Sequence, residues 1–134
     1  MKEKEIIEEN GLYSLWYYPK YKLVHHIVHK PLVGEKLHEL LLSGTECFEH
    51  YSCTKWLADD RGNVELTRED IEWGEKEWRP RVITAGWRYW AIVLTEQSIE
   101  KMPIEILISE YRDLGLTAKI FSDPEEAFHW LISV

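Results

Sequence analysis

Short apolar runs alternate with amphipathic helical stripes from residue 33 to the C-terminus. The runs 55–59, 89–94 and 117–121 have the length and the apolar character of buried strands. Apolar residues recur at three- and four-residue steps between these runs and after the last one, which is typical of helices with one buried face. Such alternation predicts a mostly parallel sheet whose strands are joined by right-handed helical crossovers.

Two β-prone runs rich in aromatic residues precede the first helical stripe. Residues 12–18 and 21–29 are separated by Pro19 and Lys20, a turn signal, so they predict an antiparallel hairpin. We therefore expect the α/β class, with a single mixed β-sheet that starts with an N-terminal antiparallel hairpin, continues in βα units and has helices packed on it. One domain spans 1–134, and the charged segment 1–10 predicts a loose arm.

Helix signals mark several boundaries in the second half of the chain. Thr67, with an acid three residues on, predicts the capped start of a helix, and Pro80 predicts a kink or a break near Trp78 and Arg79. Pro124 opens a closing helix. The first helix is predicted over 34–51.

Charge and hydropathy exclude several classes of function. The 134 residues carry a formal net charge of −8, so a global basic footprint for nucleic acid or for an anionic membrane is absent. No stretch reaches the roughly 18 apolar residues that cross a bilayer. The charged N-terminus lacks the apolar run of a signal peptide, which predicts a cytoplasmic protein with no integral membrane association. Cys47 and Cys53 are then expected to be thiols.

Several segments together resemble the STAS/SpoIIAA-like (STAS–SEC14-type) small bacterial proteins, over a range from residue 12 to the C-terminus. The matching segments are Trp56-Leu57-Ala58-Asp59-Asp60-Arg61, Glu69-Asp70-Ile71-Glu72-Trp73, Arg79-Pro80-Arg81, Ala85-Gly86, Ala91-Ile92-Val93, and Phe121-Ser122-Asp123-Pro124-Glu125-Glu126-Ala127 with Trp130-Leu131. The resemblance implies the fold of anti-sigma-factor antagonists and a partner-binding role without enzyme activity; some related domains bind nucleotides or lipids. Those antagonists carry a phosphorylatable serine or threonine in the loop after this strand, whereas residues 59–63 have no hydroxyl group.

The leading hypothesis is a non-enzymatic regulatory or protein-binding domain whose protein partner is unknown. Its surface would be the loop 60–67 and the start of the next helix, with Trp73 as the anchor. We expect no catalytic residue, metal or cofactor. The candidate partner- or ligand-binding residues are Asp59, Asp60, Arg61, Thr67, Trp73, Arg79 and Arg81. Two other interpretations of Asp59 and Asp60 stay open: ordinary loop hydrogen bonding, and Mg²⁺ ligands of a phosphohydrolase.

The aromatic residues support an alternative function. A set of large rings lies close together along the chain: Trp73, Trp78, Trp87, Tyr89 and Trp90. They indicate either a core rich in rings, or an aromatic pocket or association surface. The alternative is therefore a protein that binds a small ligand, a lipid or a nucleotide, in an aromatic-lined pocket between helices and sheet. Homodimerisation is also predicted, because some of these many rings are expected to be exposed at the surface.

Two further groups of residues have metal-ligand or titratable chemistry. Cys47-x-x-His50-x-x-Cys53 has residue types that bind zinc, but Cys47 falls on an apolar helix face, which favours structural thiols. On the second strand, His25 and His29 are predicted to face one side of the sheet and His26 the other. Ordinary half-exposed strand positions are the expected role of these histidines.

Overall fold

The structure is a computed structural model that describes residues 3–63 and 65–134. In these residues, six strands form one sheet whose spatial order follows the chain. The strands are β1 (Glu5–Glu9), β2 (Tyr13–Tyr18), β3 (Leu23–Val28), β4 (Lys55–Asp59), β5 (Tyr89–Val93) and β6 (Thr117–Phe121). The helices are α1 (Glu35–Tyr51), α2 (Arg68–Trp73), α3 (Arg79–Thr84), α4 (Glu96–Lys101), α5 (Ile104–Asp113) and α6 (Pro124–Ser133).

The sheet is mixed, as predicted. Strands β1, β2 and β3 pair antiparallel, and β3, β4, β5 and β6 pair parallel. A single 3-10 turn over Pro19–Tyr21 joins β2 to β3, and Lys22 closes it with a positive φ of 53°. The predicted α/β class, the hairpin and the following βα units are therefore confirmed.

Helices cover the two faces of the sheet unequally. Side chains of α1, α3 and α5 pack in one core with Trp56, Ala58 and Trp90, and we call this side the three-helix face. The other side, the α6 face, has a smaller core in which α6 packs on β4 and β5. Because strand residues alternate between faces, neighbouring residues such as His25 and His26 lie on opposite sides of the sheet.

Residues 5–9 differ from the predicted loose arm, because they form the edge strand β1 on β2. All five side chains of this strand are exposed, so no apolar alternation marks it in the sequence. Backbone pairing positions it, together with Trp16, whose indole N–H donates to Glu9 at 2.8 Å. The Lys4 ammonium lies 3.6 Å from the centroid of the same Trp16 ring. Met1 and Lys2 lie outside the described residues.

The predicted break near Trp78 and Arg79 takes the form of a π-helical turn. Helix α2 runs into the π turn Gly74–Trp78, and α3 begins at Arg79 with Pro80 in its first turn. Proline has no N–H to donate to the preceding turn, so the hydrogen-bond ladder must change there. A wide turn of this kind is rare and often lies at a functional site.

Candidate functional site

A cavity of about 100 Å³ lies between the three-helix face and its helices. Its polar lining comes largely from residues that follow β4, among them Asp60, Asn63 and Asp70. The rest of the lining is mostly apolar and comes from strands β4 and β5, the helices and the connecting loops. These apolar lining residues are Leu37, Leu41, Trp56, Ala58, Leu66, Ile71, Trp78, Trp87, Trp90, Met102, Ile104, Leu107 and Tyr111. We call this space the tryptophan cavity.

Four indoles and one phenol ring form a continuous aromatic cluster along this cavity. Trp56 contacts Trp78 and Trp87, each with a centroid separation of 5.7 Å. Trp87 lies 5.3 Å from Trp90, and Tyr111 lies 5.1 Å from Trp90. Tilted and edge-on geometries of this kind are favourable for aromatic pairs. Of the predicted set of rings, Trp78, Trp87 and Trp90 belong to a ring-rich core that also lines a pocket, whereas Tyr89 packs against the core of the α6 face.

A chain of hydrogen bonds connects the cluster to Asp60 in the cavity lining. The indole N–H of Trp56 donates to Nδ1 of His26 at 2.9 Å, and Nε2 of His26 is 2.8 Å from Oδ1 of Asp60. An indole nitrogen can only donate, so Nδ1 accepts and the ring proton lies on Nε2, which donates to Asp60. His26 is therefore neutral in this arrangement, and the Asp60 carboxylate keeps its negative charge.

Asp70 is a buried carboxylate that also lines the cavity. It accepts hydrogen bonds from the backbone N–H of Gly34 at 3.0 Å and from His38 at 2.8 Å. Burial acts to raise the pKa of Asp70, but the hydrogen bonds from Gly34, His38 and Thr67 outweigh it, so the pKa lies below its ordinary value. The carboxylate therefore stays charged at neutral pH and ties the start of α1 to α2.

The π turn positions Trp78 in the cavity wall. Its indole N–H donates to the Thr45 hydroxyl at 2.9 Å, and that hydroxyl donates to the carbonyl of Leu41 at 2.8 Å. Thr45 is fully buried, so both of its bonds replace water inside α1. Gly74 and Glu75, in the first part of the π turn, also line the cavity.

The structure separates the predicted residues of the loop after β4 between the two sides of the sheet. Asp60 lines the tryptophan cavity, whereas Asp59 and Arg61 line a different crevice on the α6 face. Arg61 binds Asp59 with two hydrogen bonds of 2.9 and 2.8 Å, and this carboxylate raises the pKa of the guanidinium. Val64, within the predicted loop surface, lies outside the described residues.

The helical candidates have mainly structural contacts. Thr67 caps α2 by accepting from the Asp70 N–H, and Trp73 stacks on His38 with ring centroids 3.8 Å apart. Arg81 binds Glu49 of α1 with two hydrogen bonds of 2.9 and 2.8 Å. Arg79 lies 3.8 Å from a Glu110 oxygen and over the Tyr111 ring. Arg79 and Arg81 therefore link α3 to neighbouring helices, whereas Thr67 and Trp73 belong to α2 beside the cavity.

The α6 face has its own crevice of about 540 Å³, open to solvent. His25 lies in it with Nε2 unbonded, and its Nδ1 is 3.3 Å from the Tyr18 hydroxyl. Burial, with a smaller effect of His26, lowers the pKa of His25 to about 3, so the ring is neutral. His29 lies beyond the end of β3 and bonds the Ser14 hydroxyl at 2.9 Å.

The cysteines are buried free thiols. Burial raises the pKa of Cys47 to about 11 and that of Cys53 to about 12, so neither is ionised at neutral pH.

Within residues 3–63 and 65–134, no three His, Cys, Asp or Glu side chains come together as a metal site. The Asp59 carboxylate accepts a hydrogen bond from Arg61, and the Asp60 carboxylate accepts one from His26, so both carboxylates already have partners.

Several cavity residues lie outside the predicted site residues and the predicted surface, among them His26, Trp56, Met102 and Tyr111. Asn63 and Asp70 lie within the predicted loop and helix start but were not singled out. Asn63 is buried, and its side-chain oxygen accepts a hydrogen bond from the Leu32 N–H at 2.7 Å. Its backbone carbonyl accepts one from the Ser98 hydroxyl. A polar residue in the loop after a parallel strand is one available signal, because ligand crevices lie beyond the carboxyl ends of such strands. Residues that come together from different strands and loops, such as His26 and Asp60, could not be paired from their spacing in the sequence.

Comparisons with models of known protein families, with curated proteins and with solved structures gave no match for the chain. In the described part of the chain, no helix is both long enough and apolar enough to span a bilayer.

Proposed function

We propose that the protein is a non-enzymatic regulatory domain that binds a small, largely apolar ligand in the tryptophan cavity. The observation that carries this proposal is the cavity itself, a space of about 100 Å³ that is lined by an aromatic cluster and a few polar groups. Ligand sites are typically concave and apolar with a few polar groups that orient the ligand. An apolar cavity of about 150 Å³ is known to hold a benzene ring, so a somewhat smaller group fits here.

The state of the reactive side chains supports binding rather than chemistry. Both ring nitrogens of His26 are engaged, so His26 is a poor candidate for a general base. The thiols of Cys47 and Cys53 are buried and protonated, and the guanidinium of Arg61 is held by Asp59. These contacts favour a structural role for groups that could otherwise act as acid, base or nucleophile.

The family assignment is likewise a proposal. The motifs around residues 56–61, 69–73 and 121–131 resemble STAS/SpoIIAA-like proteins, and an α/β mixed sheet is compatible with that family. A regulatory role for the ligand follows from this resemblance. The absence of a hydroxyl group from residues 59–63 argues against control by phosphorylation in that loop.

A thermal-unfolding screen with matched variants tests the proposal. Leu107 lines the cavity and is half-buried, so Leu107→Phe should fill the space, while Leu114→Phe adds the same ring at an exposed position. A ligand from a panel of nucleotides, fatty acids and small apolar compounds should raise the midpoint of the wild type and of Leu114→Phe. Leu107→Phe should respond weakly. Equal shifts in all three proteins, or none in any, would contradict the proposal.

A second candidate function, partner binding through the loop 60–67 and α2, is favoured by Trp73. Its ring is half-buried and stacked flat on His38, so one large face is already fixed in place at the surface. Preorganised aromatic side chains are common anchors in protein interfaces. An interactome comparison of wild type, Trp73→Ala and Trp130→Ala tests it, because Trp130 is a half-buried tryptophan on the opposite face. A partner lost only with Trp73→Ala supports the surface, and identical interactomes reject it.

A further inference from the structure

We propose that the tryptophan cavity takes a cationic group, namely the alkylated ammonium head of a small amine. This inference rests on the proposed ligand-binding function and names the chemical class of the ligand. It depends on two independent features of the same cavity, the aromatic rings of its wall and the sign of its charges.

The wall has the side chains that recognise an organic cation best. Indole and phenol rings attract a cation placed over their faces, and tryptophan does so most strongly. Trp78, Trp87 and Trp90 all border the cavity, with Tyr111 beside them. The cluster already holds one cation, because the Arg79 guanidinium lies 5.4 Å from the centroid of the Tyr111 ring.

The charges that line the cavity all have the same sign. The lining includes the carboxylates Asp60, Asp70 and Glu75, and no lysine or arginine of the described residues. The partner of Asp60 is a neutral histidine, so its charge is not cancelled. Glu75 is exposed and has no ion-pair partner in residues 3–63 and 65–134. These carboxylates repel an anionic ligand and attract a cation, while the Arg79 guanidinium beside Tyr111 lies outside the lining.

The size of the cavity also fits an alkylated ammonium head. The space of about 100 Å³ suits a compact branched head such as a trimethylammonium group. Such a group buries its methyl surface against the rings, and its spread charge is weakly hydrated, so entry into an aromatic site costs less than for a bare ammonium.

Three probes of the same shape and different charge give the sharpest test. They are choline, the neutral isostere 3,3-dimethylbutan-1-ol and the anionic 3,3-dimethylbutanoate, each titrated while tryptophan fluorescence and the unfolding midpoint are recorded. Choline should bind about tenfold more tightly than the alcohol, and the acid should be the weakest. Asp60→Asn keeps an acceptor for His26 and should weaken choline about fivefold without changing the alcohol. Glu65→Gln, which removes an exposed carboxylate that does not line the cavity, is the matched control.

Each outcome is decisive. If the alcohol binds as tightly as choline, or the acid binds best, the cation proposal is wrong while ligand binding in the cavity stands. If none of the three binds, the cation proposal also fails, and the wider panel with Leu107→Phe still decides whether the cavity binds a ligand. Equal losses of choline affinity in Asp60→Asn and Glu65→Gln would show that only the net charge of −8 attracts the cation.

Discussion

His25 is a buried, uncharged histidine on the α6 face, with the Tyr18 hydroxyl 3.3 Å from Nδ1. Trp16 contacts it edge-on with a centroid separation of 5.2 Å. Removal from water disfavours the imidazolium form, which is why the pKa falls to about 3. The unfolded chain has no such environment, so its histidine binds a proton near pH 6.5.

This difference predicts a pH dependence of stability. Between about pH 6.5 and about pH 3 the unfolded state binds one more proton than the folded state, so the free energy of unfolding falls as the pH falls. The slope from this residue is at most about 1.4 kcal/mol per pH unit. His25→Gln should lose that contribution in urea unfolding measured from pH 7 to pH 4, whereas His129→Gln, an exposed control, should keep it. Parallel curves for wild type and His25→Gln would contradict the assignment.

Gly44 is fixed by close packing. It lies in α1 against the indole of Trp56, and an added Cβ would overlap the Trp56 ring. Gly44→Ala should therefore cost about 1–3 kcal/mol in urea unfolding, despite the better helix propensity of alanine. Ser43→Ala, at the neighbouring half-buried position, should change stability much less. Unchanged stability of Gly44→Ala would mean that the Trp56 side of the cavity is not closely packed.

The chemical types at the site were predictable, but their partners were not. Asp60 was predicted in a partner-binding loop, yet its neighbour His26 is 34 residues away and became a partner only through β3–β4 pairing. Spacing also placed Asp59 and Asp60 together, whereas strand alternation sends them to different faces. Long-range register decides the first outcome, and one chain without its pairing does not specify register. The second outcome is local alternation at the end of β4.

At the scale of elements, the segment from Thr67 to Thr84 supplies five residues of the cavity lining: Asp70, Ile71, Gly74, Glu75 and Trp78. Thr67 caps α2, the π turn sets the direction of Trp78, and Pro80 starts α3. The cap and the proline carry clear sequence signals, which is why the start of the helix and the break were predicted. The π geometry was not, because it depends on the contact of Trp78 with Thr45.

The cap gives a direct test at this scale. Thr67→Ala removes the oxygen that accepts from the Asp70 N–H at 3.1 Å. We expect a loss of about 1 kcal/mol in the free energy of unfolding. Thr67→Ser should restore most of it, with no change in the denaturant slope. If the serine variant is as unstable as the alanine variant, the methyl group and not the cap is what α2 requires.

At the scale of the whole molecule, five of the six strands and the order of the helices follow from the sequence pattern. Strand β1 does not, because its side chains are exposed on both faces and only its backbone pairing with β2 defines it.

The tryptophans themselves are buried or half-buried, so in the described structure they do not form the exposed ring patch that suggested a homodimer. Homodimerisation stays a prediction, and sedimentation velocity at several concentrations tests it: one concentration-independent monomer species would reject it.

The central claim is that a small ligand enters the tryptophan cavity. The seven tryptophans give separate indole N–H signals in a nitrogen–proton correlation spectrum, which can be assigned by single substitution. On titration with the compound that most raises the unfolding midpoint, the signals of Trp78, Trp87 and Trp90 should move together, and those of Trp16 and Trp130 should stay. Movement confined to Trp16 and Trp130, or no movement of any indole signal, would contradict the account.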